Sequence, residues 1–268
     1  MNIAANSTGS FVNQLNWQTN QSTKALERLA SGSRLLAPQD DAAGLAVATR
    51  LEAKLRQFDA AGRNIANAIS FSQTQDGFLS GAQDVLNRMG SLAIRAQDAT
   101  LNDEQRALFQ DEFQDLKDTF NNLRTAQFNG RNLFDGDEFV VAASPDSPVV
   151  QGGDIDLFSD QISAVTANKT QLFSHSEARD ALKIITEASE LITHGRIQAG
   201  STLSELEMAG ELLFTERFNA QTALSKITAP DIAAETINLV REQIFSEKSN
   251  FYFKNDYSMR RQLVNILS

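Results

Sequence analysis

Two adjacent carboxylates are the side chains of this sequence whose type and spacing could support acid–base chemistry. Asp40 and Asp41 stand together just before a long helical pattern, and a carboxylate pair can act as general acid and general base. At the start of a helix such residues are far more often caps, because a short carboxylate accepts hydrogen bonds from the free N–H groups of the first turn. We therefore interpret Asp40 or Asp41 as a helix cap.

Metal and nucleophile chemistry have few residues to draw on. His175 and His194 are the only histidines, and neither lies in an HExxH pattern. The chain has no cysteine, which excludes disulfides, thiolate nucleophiles and cysteine-ligated zinc. We expect both histidines at the surface, and we predict a protein that is not an enzyme, with no catalytic residue, no cofactor and no metal site.

Four arginines near the two aspartates suggest a role in subunit contacts. Ion pairs across an interface fix its register more than they add affinity. The alternative is a set of solvated charges, because surface pairs contribute only ~0–1 kcal/mol. The interface candidates are these charged residues and three apolar residues of the following helix: Arg28, Arg34, Asp40, Asp41, Arg50, Arg63, Leu51, Leu55 and Phe58.

The composition excludes several classes of protein. A net charge of −10 over 268 residues argues against nucleic-acid binding, which needs clustered Lys and Arg to neutralise phosphates. Only 7% of the residues are aromatic, as in helix bundles rather than sandwiches. The N-terminus lacks the basic and apolar regions of a secretory signal peptide, and no apolar run approaches the ~18 residues of a membrane span.

Glycine and proline divide the N-terminal half into long helices. A first helix over residues 5–30 closes at Gly32, which can adopt the left-handed conformation, and Pro38 keeps the following loop out of a helix. A second helical pattern covers residues 42–100 and weakens only over residues 72–76.

A third helix is predicted after Asn102, which can form a capping box with Gln105. Its apolar residues follow coiled-coil steps of four and three: Phe109, Phe113, Leu116, Phe120 and Leu123. The seam ends at an Asn-Gly turn within residues 127–130. Residues 136–174 are richer in Gly, Asp, Pro and Ser, and β-type runs at residues 139–142 and 155–158 predict a small hairpin.

The strongest periodicity lies in the C-terminal half. An apolar residue recurs every seven positions: Ala178, Ile185, Ile192, Ala199, Leu206, Leu213, Ala220 and Ile227, with Leu182, Leu203 and Leu224 at a second seam position. A strict repeat of this length needs partner helices. The segment Thr228–Asp231 is interpreted as a capping box for a last helix. The predicted fold class is mainly α, a long antiparallel helical coiled-coil bundle with a small β-hairpin excursion.

Several segments resemble bacterial flagellin in order and spacing. They are LERLASGSR at residues 26–34, DDAAG at 40–44, Arg63-Asn64, residues 87–94 and QFNG at 127–130, while residues 227–235 are similar to the family's segment before its last helix. The resemblance covers residues 1–135 and 175–245. Flagellins are filament subunits, so it implies a structural role in the flagellar filament and in swimming.

The resemblance also implies how the chain is divided. An inner-tube helix and linker occupy residues 1–41, followed by one arm of an outer-tube rod over 42–135 and a short surface insert over 136–175. The second arm spans 176–228, and the C-terminal inner-tube helix spans 229–268.

The implied partners belong to the flagellum. They are further copies in a helical homo-oligomer, other flagellins, hook-associated proteins, the filament cap and an export chaperone, with no nucleic acid and no membrane insertion. Export of the unfolded chain by the flagellar type III apparatus would explain the absent signal peptide and place the protein in the extracellular filament.

The C-terminal segment departs from the family's usual composition. Residues 251–257 are bulky, and Arg260-Arg261 adds charge, where the family usually carries small residues with Gln and Asn.

A mammalian innate immune receptor recognises the family. The resemblance implies an epitope at Asn87, Arg88, Leu92 and Glu112, although Gly90 and Ser91 replace larger, charged residues.

Three other classes compete with a filament subunit. A hook–filament junction protein shares the helical plan but forms a short ring, so copy number separates it from a filament protein. A cytoplasmic coiled-coil adaptor would be found inside cells. A flagellin-like enzyme with a metalloprotease insert would need HExxH, which the small insert lacks.

The sequence predicts that polymerisation depends on the two chain ends, because a terminal helix with few apolar residues is marginal alone. A fragment of residues 42–227 is expected to stay soluble and monomeric while the full chain polymerises. Sedimentation of both under the same conditions checks this. Fibres grown from the fragment would contradict it.

Overall fold

The computed structural model describes residues 2–142, 149–153 and 155–267. Long helices dominate it, which confirms the predicted mainly α class. In chain order the elements are α1 Asn2–Ser31, α2 Ala42–Ala96, α3 Asp103–Arg124, β1 Gln127–Phe128, β2 Arg131–Asn132, β3 Phe139–Ala142, β4 Val149–Gly152, α4 Asp160–Thr166, α5 His175–Thr228 and α6 Ile232–Leu267.

The chain forms two compact units. The terminal unit comprises Met1–Leu55 and Phe218–Ser268, and the central unit comprises Arg56–Arg217. Helices α2 and α5 contribute to both units, since each unit boundary falls within one of these helices.

Local sequence signals set most helix ends. Gly32 follows α1 with a φ of 65°, which an L side chain rarely adopts. The capping box of α3 forms as predicted, because Asn102 Oδ1 accepts from Gln105 N at 2.8 Å and Gln105 Oε1 accepts from Asn102 N at 3.1 Å. The predicted cap of α6 is wrong: α5 continues through Thr228, and Asp231 instead accepts from Ala234 N at 3.0 Å.

Helices α2 and α5 run antiparallel in the central unit. Asp59 pairs with Arg217 at 2.8 Å, and Asp76 with Arg196 at 2.9 Å, so positions rise along α2 as they fall along α5. The heptad positions of α5 from Ala178 to Leu206 are buried, as predicted.

The second seam position of α5 lies one residue earlier than predicted. Ala181, Ala188 and Thr202 are buried, whereas Leu182 and Leu203 are only half-buried. Gly195 lies on the same face, and a Cβ atom added to it would lie 3.2 Å from Ile155 and 3.7 Å from Leu79. The small residues on this face therefore let α5 contact α2 and the insert together.

Polar residues continue the α2 seam where apolar ones are absent. Ser72 and Gln75 are buried, so the predicted weakening over residues 72–76 is not a break in packing. The Gln75 side-chain amide donates to the Leu133 carbonyl at 2.6 Å. This bond satisfies a buried backbone acceptor that would otherwise cost free energy.

Two short hairpins pack beside α2. Asn129 and Gly130 have φ values of 52° and 81°, as the turn of a two-residue hairpin requires, and they join β1 to β2. The Phe71 ring lies edge-on to Phe128 and Phe139, with ring centroids 5.8 and 5.2 Å apart.

The second strand of the predicted hairpin is misplaced. Strand β3 pairs with β4 and not with residues 155–158. Gly153, with a φ of 97°, turns the chain after β4, and Ile155 and Leu157 then enter the core. Ile162 and Val165 of α4, a helix the sequence did not predict, and Leu172 are also buried. These residues are core components, not parts of a surface insert.

Helix α3 holds this segment through buried polar side chains. Lys117 Nζ donates to the carbonyls of Ala167 and Thr170 at 2.7 and 3.1 Å, and Gln110 Oε1 accepts from Leu172 N at 2.7 Å. Burial lowers the pKa of Lys117, because desolvation disfavours the charged amine, and the negative charge of Asp118 opposes this shift only in part.

Replacement of a core aromatic residue of α3 is expected to destabilise the central unit. Phe120 is fully buried, so Phe120→Ala should lower the free energy of unfolding by about 3–5 kcal/mol. Leu108→Ala on the same helix is the control, because Leu108 is 68% exposed and should change it by less than about 0.5 kcal/mol. Urea unfolding followed by circular dichroism measures both, and equal effects would contradict the packing described.

Candidate functional site

The terminal unit is built on an antiparallel pair of helices. Arg28 of α1 contacts Glu235 near the start of α6, with Nη1 and Oε1 3.1 Å apart. Further along, a groove between the helices is lined on the α1 side by Gln18, Thr19, Ser22 and Thr23 and on the α6 side by Glu242, Gln243, Ser246 and Glu247. Sequence numbers fall on α1 as they rise on α6, so the helices run in opposite directions.

Over residues 13–31, whose side chains the structure describes, the contact face of α1 carries few apolar side chains. Ala25 and Gln18 are buried there, and Leu15, Ser22 and Leu29 are half-buried beside them. The side-chain carbonyl oxygen of Gln18 is buried and has no hydrogen-bond partner among the described residues. An unsatisfied buried acceptor costs about 1–3 kcal/mol, so this face stabilises the pair weakly.

Helix α6 turns a mainly polar stripe toward α1. The half-buried residues of α6 up to position 250 are Glu235, Asn238, Leu239, Glu242, Ser246 and Ser249. They recur at steps of three and four, which places them on one side of the helix. Leu239 is the one large apolar side chain in this stripe.

The opposite side of α6 is apolar and exposed, and we call it the outward apolar face. Ile237, Val240, Ile244 and Phe251 are 66%, 52%, 60% and 63% exposed. Their spacing of three, four and seven residues aligns them on one face, opposite the half-buried stripe. A shallow apolar depression runs along this face between Thr236 and Phe245.

The bulky C-terminal segment extends the exposed aromatic surface. Phe251 and Tyr252 are exposed, and Lys248 Nζ lies 5.8 Å from the centroid of the Tyr252 ring. The side chains of Tyr257 and Arg260 lie outside the described residues.

The two aspartates of the α1–α2 linker have different roles. Asp41 caps α2, since its Oδ1 accepts from Gly44 N at 2.8 Å; a Cβ at Gly44 would collide with this carboxylate. Asp40 instead closes the linker, because its Oδ2 accepts from the N–H groups of Leu36 and Ala37 at 3.2 Å each. These two bonds lower the pKa of Asp40, and the charge of Arg28 lowers it further.

Arg28 connects the linker to both terminal helices. Its Nη2 lies 3.5 Å from Asp40 Oδ1, and its Nη1 contacts Glu235 of α6. The backbone N–H of Arg34 donates to the Thr228 carbonyl at 2.7 Å. Arg28 and Asp40, predicted as contacts between subunits, therefore pair within one chain.

The other charged interface candidates have no ion-pair partner among the described residues of the chain. Arg34, Arg50 and Arg63 are exposed and make no ion pair with any residue that the structure describes. Their pairing with a neighbouring copy stays a prediction.

Of the apolar candidates, Phe58 is buried within the chain. It is therefore unavailable for a contact between copies, while Leu51 and Leu55 are half-buried.

The predicted immune epitope is only partly at the surface. Arg88 and Glu112 form an ion pair between α2 and α3, with Nε and Oε1 2.7 Å apart. Asn87 is exposed and accepts from the Gln83 side chain. Leu92 has no exposed surface, because it packs into the core of the central unit. Recognition at the four residues stays a prediction.

The two histidines do not belong to a metal-ligand cluster among the described residues. His175 and His194 are both exposed, as predicted. Across the described residues, no three His, Asp or Glu side chains come together as metal ligands. No described helix combines the length and the hydropathy that a bilayer span needs.

Comparisons with known proteins agree in family. Residues 1–138 match the profile described as the bacterial flagellin N-terminal helical region. A flagellin of Halalkalibacterium halodurans is 32% identical over 233 residues, 86% of this chain and 86% of that protein. The flagellar filament 30.7 kDa core protein of Treponema maltophilum is 29% identical over 84% of each chain.

Solved structures share parts of the fold. The crystal structure of Bacillus cereus flagellin gives a TM-score of 0.51 at 25% identity and covers 56% of this chain and 88% of that one. A putative flagellar hook-associated protein from Vibrio parahaemolyticus gives a TM-score of 0.62 over 71% of this chain and 100% of that chain. Its identity of 16% shows likeness of fold alone.

The linker is expected to respond to acid through Asp40. The folded pKa of Asp40 lies below the ordinary 3.8, so its stabilising effect is present above about pH 4 and is lost as the pH falls through the folded pKa. NMR titration of the Leu36 and Ala37 amides should show a midpoint below 3.8 that Asp40→Asn abolishes and Asp41→Asn preserves. A midpoint at or above 3.8 would contradict the assignment.

Proposed function

This chain belongs to the bacterial flagellin family, whose members are structural subunits of the flagellar filament, and we propose that it polymerises through the outward apolar face of α6. The observation that supports this contact is the placement of Ile237, Val240, Ile244 and Phe251 on one exposed helix face. In a filament, a neighbouring copy of the chain is always available to cover this face.

The free energy available from this face is large for so small a unit. Full burial of an Ile, Val or Phe side chain is worth ~1.5–3 kcal/mol, and each of the four is more than half exposed. Covering them therefore supplies roughly half of that value for each side chain.

Folding of the terminal unit is coupled to assembly in this proposal. Among the described side chains, the α1–α6 contact buries Ala25 and Gln18, whose side-chain oxygen is unpaired, and half-buries Leu239 beside Ser, Asn and Glu side chains of α6. Such a contact provides little compensation for the conformational entropy of two long helices. The pair becomes stable when neighbouring copies cover the outward apolar face.

The wider biology follows the family. We propose that the chain is exported unfolded by the flagellar type III apparatus and acts in the extracellular filament, with no catalytic activity. The absence of cysteine supports this route, because an unfolded chain then forms no disulfide during passage. An export chaperone, the filament cap and hook-associated proteins are the further partners proposed.

A hook–filament junction protein is the second candidate, since the Vibrio parahaemolyticus hook-associated protein shares the fold. The curated relatives that match most of this chain carry flagellin or filament names, which favours a filament subunit. The number of copies per flagellum separates the two, with thousands expected for a filament subunit and a single short ring for a junction protein.

A charge on the outward apolar face is expected to block polymerisation. Ile244→Asp places a carboxylate where the proposed contact excludes water, and an unpaired buried charge is strongly unfavourable. Asn250→Asp is the matched control, because Asn250 is exposed on the same helix but lies outside the apolar stripe. Electron microscopy after a polymerisation trigger should find filaments for wild type and Asn250→Asp only. Filaments of normal yield from Ile244→Asp would overturn the assigned contact.

A further inference from the structure

The outward side of α3 carries an acidic stripe, defined by Glu104, Asp111, Asp115 and Asp118. All four side chains are exposed, and their spacing of seven, four and three residues aligns them on one helix face. Leu108, 68% exposed, lies within the stripe. None of the four acids forms an ion pair with a described residue; the other acids of α3, Asp103 and Glu112, have the arginine partners.

Such a stripe is unfavourable in an isolated chain. Like charges three or four residues apart on a helix destabilise it by about 0.2–0.5 kcal/mol for each pair. Asp118 is relieved in part by a hydrogen bond from the Gln114 side chain at 3.3 Å and by the charge of the adjacent Lys117. The stripe therefore gains from any cationic surface that comes to cover it.

A cationic surface of matching kind lies on α2 of the same unit, and we call it the basic stripe. Arg56 and Arg63 are seven residues apart and exposed, with Ala60 and Asn67 on the same face. Neither arginine makes an ion pair within the described part of the chain. Asp59, on the adjoining side of the helix, is already paired with Arg217.

The two stripes cannot meet within one copy. Helix α3 lies beside the far part of α2, since Glu112 contacts Arg88 and the Arg106 side chain donates to the Ala96 carbonyl at 3.2 Å. Arg63 and Arg88 are 25 positions apart on one continuous helix, which is roughly 40 Å at the rise of an α-helix. Complementary faces separated in this way can pair only between copies.

We propose that the acidic stripe of α3 docks on the basic stripe of α2 of a second copy of this chain. The contact joins two different faces, so it is heterologous, and repetition of a heterologous contact that does not close gives an open helical polymer. The proposal rests on the filament function above and assigns a partner to Arg63, one of the exposed arginines. It also adds Arg56, which the sequence did not single out.

The charges act mainly on register and on the rate of addition. Pairs at a solvent-exposed contact add little affinity, whereas complementary fields steer encounter and disfavour wrong alignments. A stagger that brings the acidic stripe opposite another acidic stripe is repulsive. Filament growth should slow as ionic strength rises, because exposed charges are screened beyond ~10 Å at 0.1 M salt.

The experiment uses three charge-reversed full-length chains. The basic variant carries Asp111→Arg and Asp115→Arg, the acidic variant carries Arg56→Glu and Arg63→Glu, and the swapped variant carries all four changes. The control carries Glu207→Arg and Glu211→Arg, which makes the same charge change at exposed sites of α5. Circular dichroism verifies that each chain keeps its helix content, and sedimentation measures the critical concentration for polymerisation.

The basic and acidic variants alone should each show a critical concentration at least about tenfold above that of wild type. A tenfold rise corresponds to a loss of about 1.4 kcal/mol in the free energy of adding one subunit. Their equimolar mixture should polymerise near the wild-type concentration, because each then meets an opposite stripe. The swapped variant should polymerise with itself and be excluded from wild-type filaments.

Three outcomes overturn the pairing. They are growth of both single variants at the wild-type concentration, failure of the mixture to grow when each chain is helical, and equal rescue of the acidic variant by the α5 control. The wild-type chain separates this test from the filament function, since its own failure to polymerise would count against that function instead.

Discussion

The structure depends on which side of α6 faces its own chain. Helix α6 turns a mainly polar stripe with a single large apolar residue, Leu239, toward α1, and it leaves Ile237, Val240 and Ile244 in water. Within a single copy this arrangement is the reverse of ordinary packing, in which the apolar stripe is buried. A polar inner contact and an apolar outer face make a unit that is incomplete until something covers it.

The central unit shows the opposite balance. Its core collects buried aromatic and aliphatic side chains from α2, α3, α5 and residues 155–172. The buried side chains of Gln75 and Lys117 donate hydrogen bonds, whereas Ser72 Oγ and Arg124 Nε are buried without a partner among the described residues. A unit with so large an apolar core can fold before assembly, while the terminal unit cannot gain comparable burial alone. Because of this difference in buried surface, the central unit is expected to fold first and the terminal unit to become stable on assembly.

Sequence reasoning succeeded where the determining interactions are local or strictly periodic. The Gly32 helix end, the Asn102 capping box, the Asn129-Gly130 turn and the heptads of α5 depend on neighbours within a few residues or on a single repeat. It placed the second hairpin strand at residues 155–158, because Ile155 and Leu157 have strand-like patterning. In the structure the same alternation serves to bury them in the core.

The missed features depend on contacts distant in sequence. Lys117 resembles a surface residue until the segment after α4, a helix that was not predicted, supplies the carbonyls of Ala167 and Thr170 around it. Arg28 resembles an inter-subunit charge until Glu235, 207 residues away, is placed beside it. The sequence indicated only that the terminal helix is marginal alone. It could not show the outward apolar face, because that requires knowing which side of α6 is covered by α1.

The dependence of α1 and α6 on assembly can be measured by hydrogen exchange of their backbone amides in the dilute monomer and in the assembled filament. Exchange should be rapid in both helices of the monomer and slow in the filament, and exchange of the central unit should be slow in both states. Strong protection of α1 and α6 in a dilute monomer that shows no tendency to polymerise would contradict this dependence.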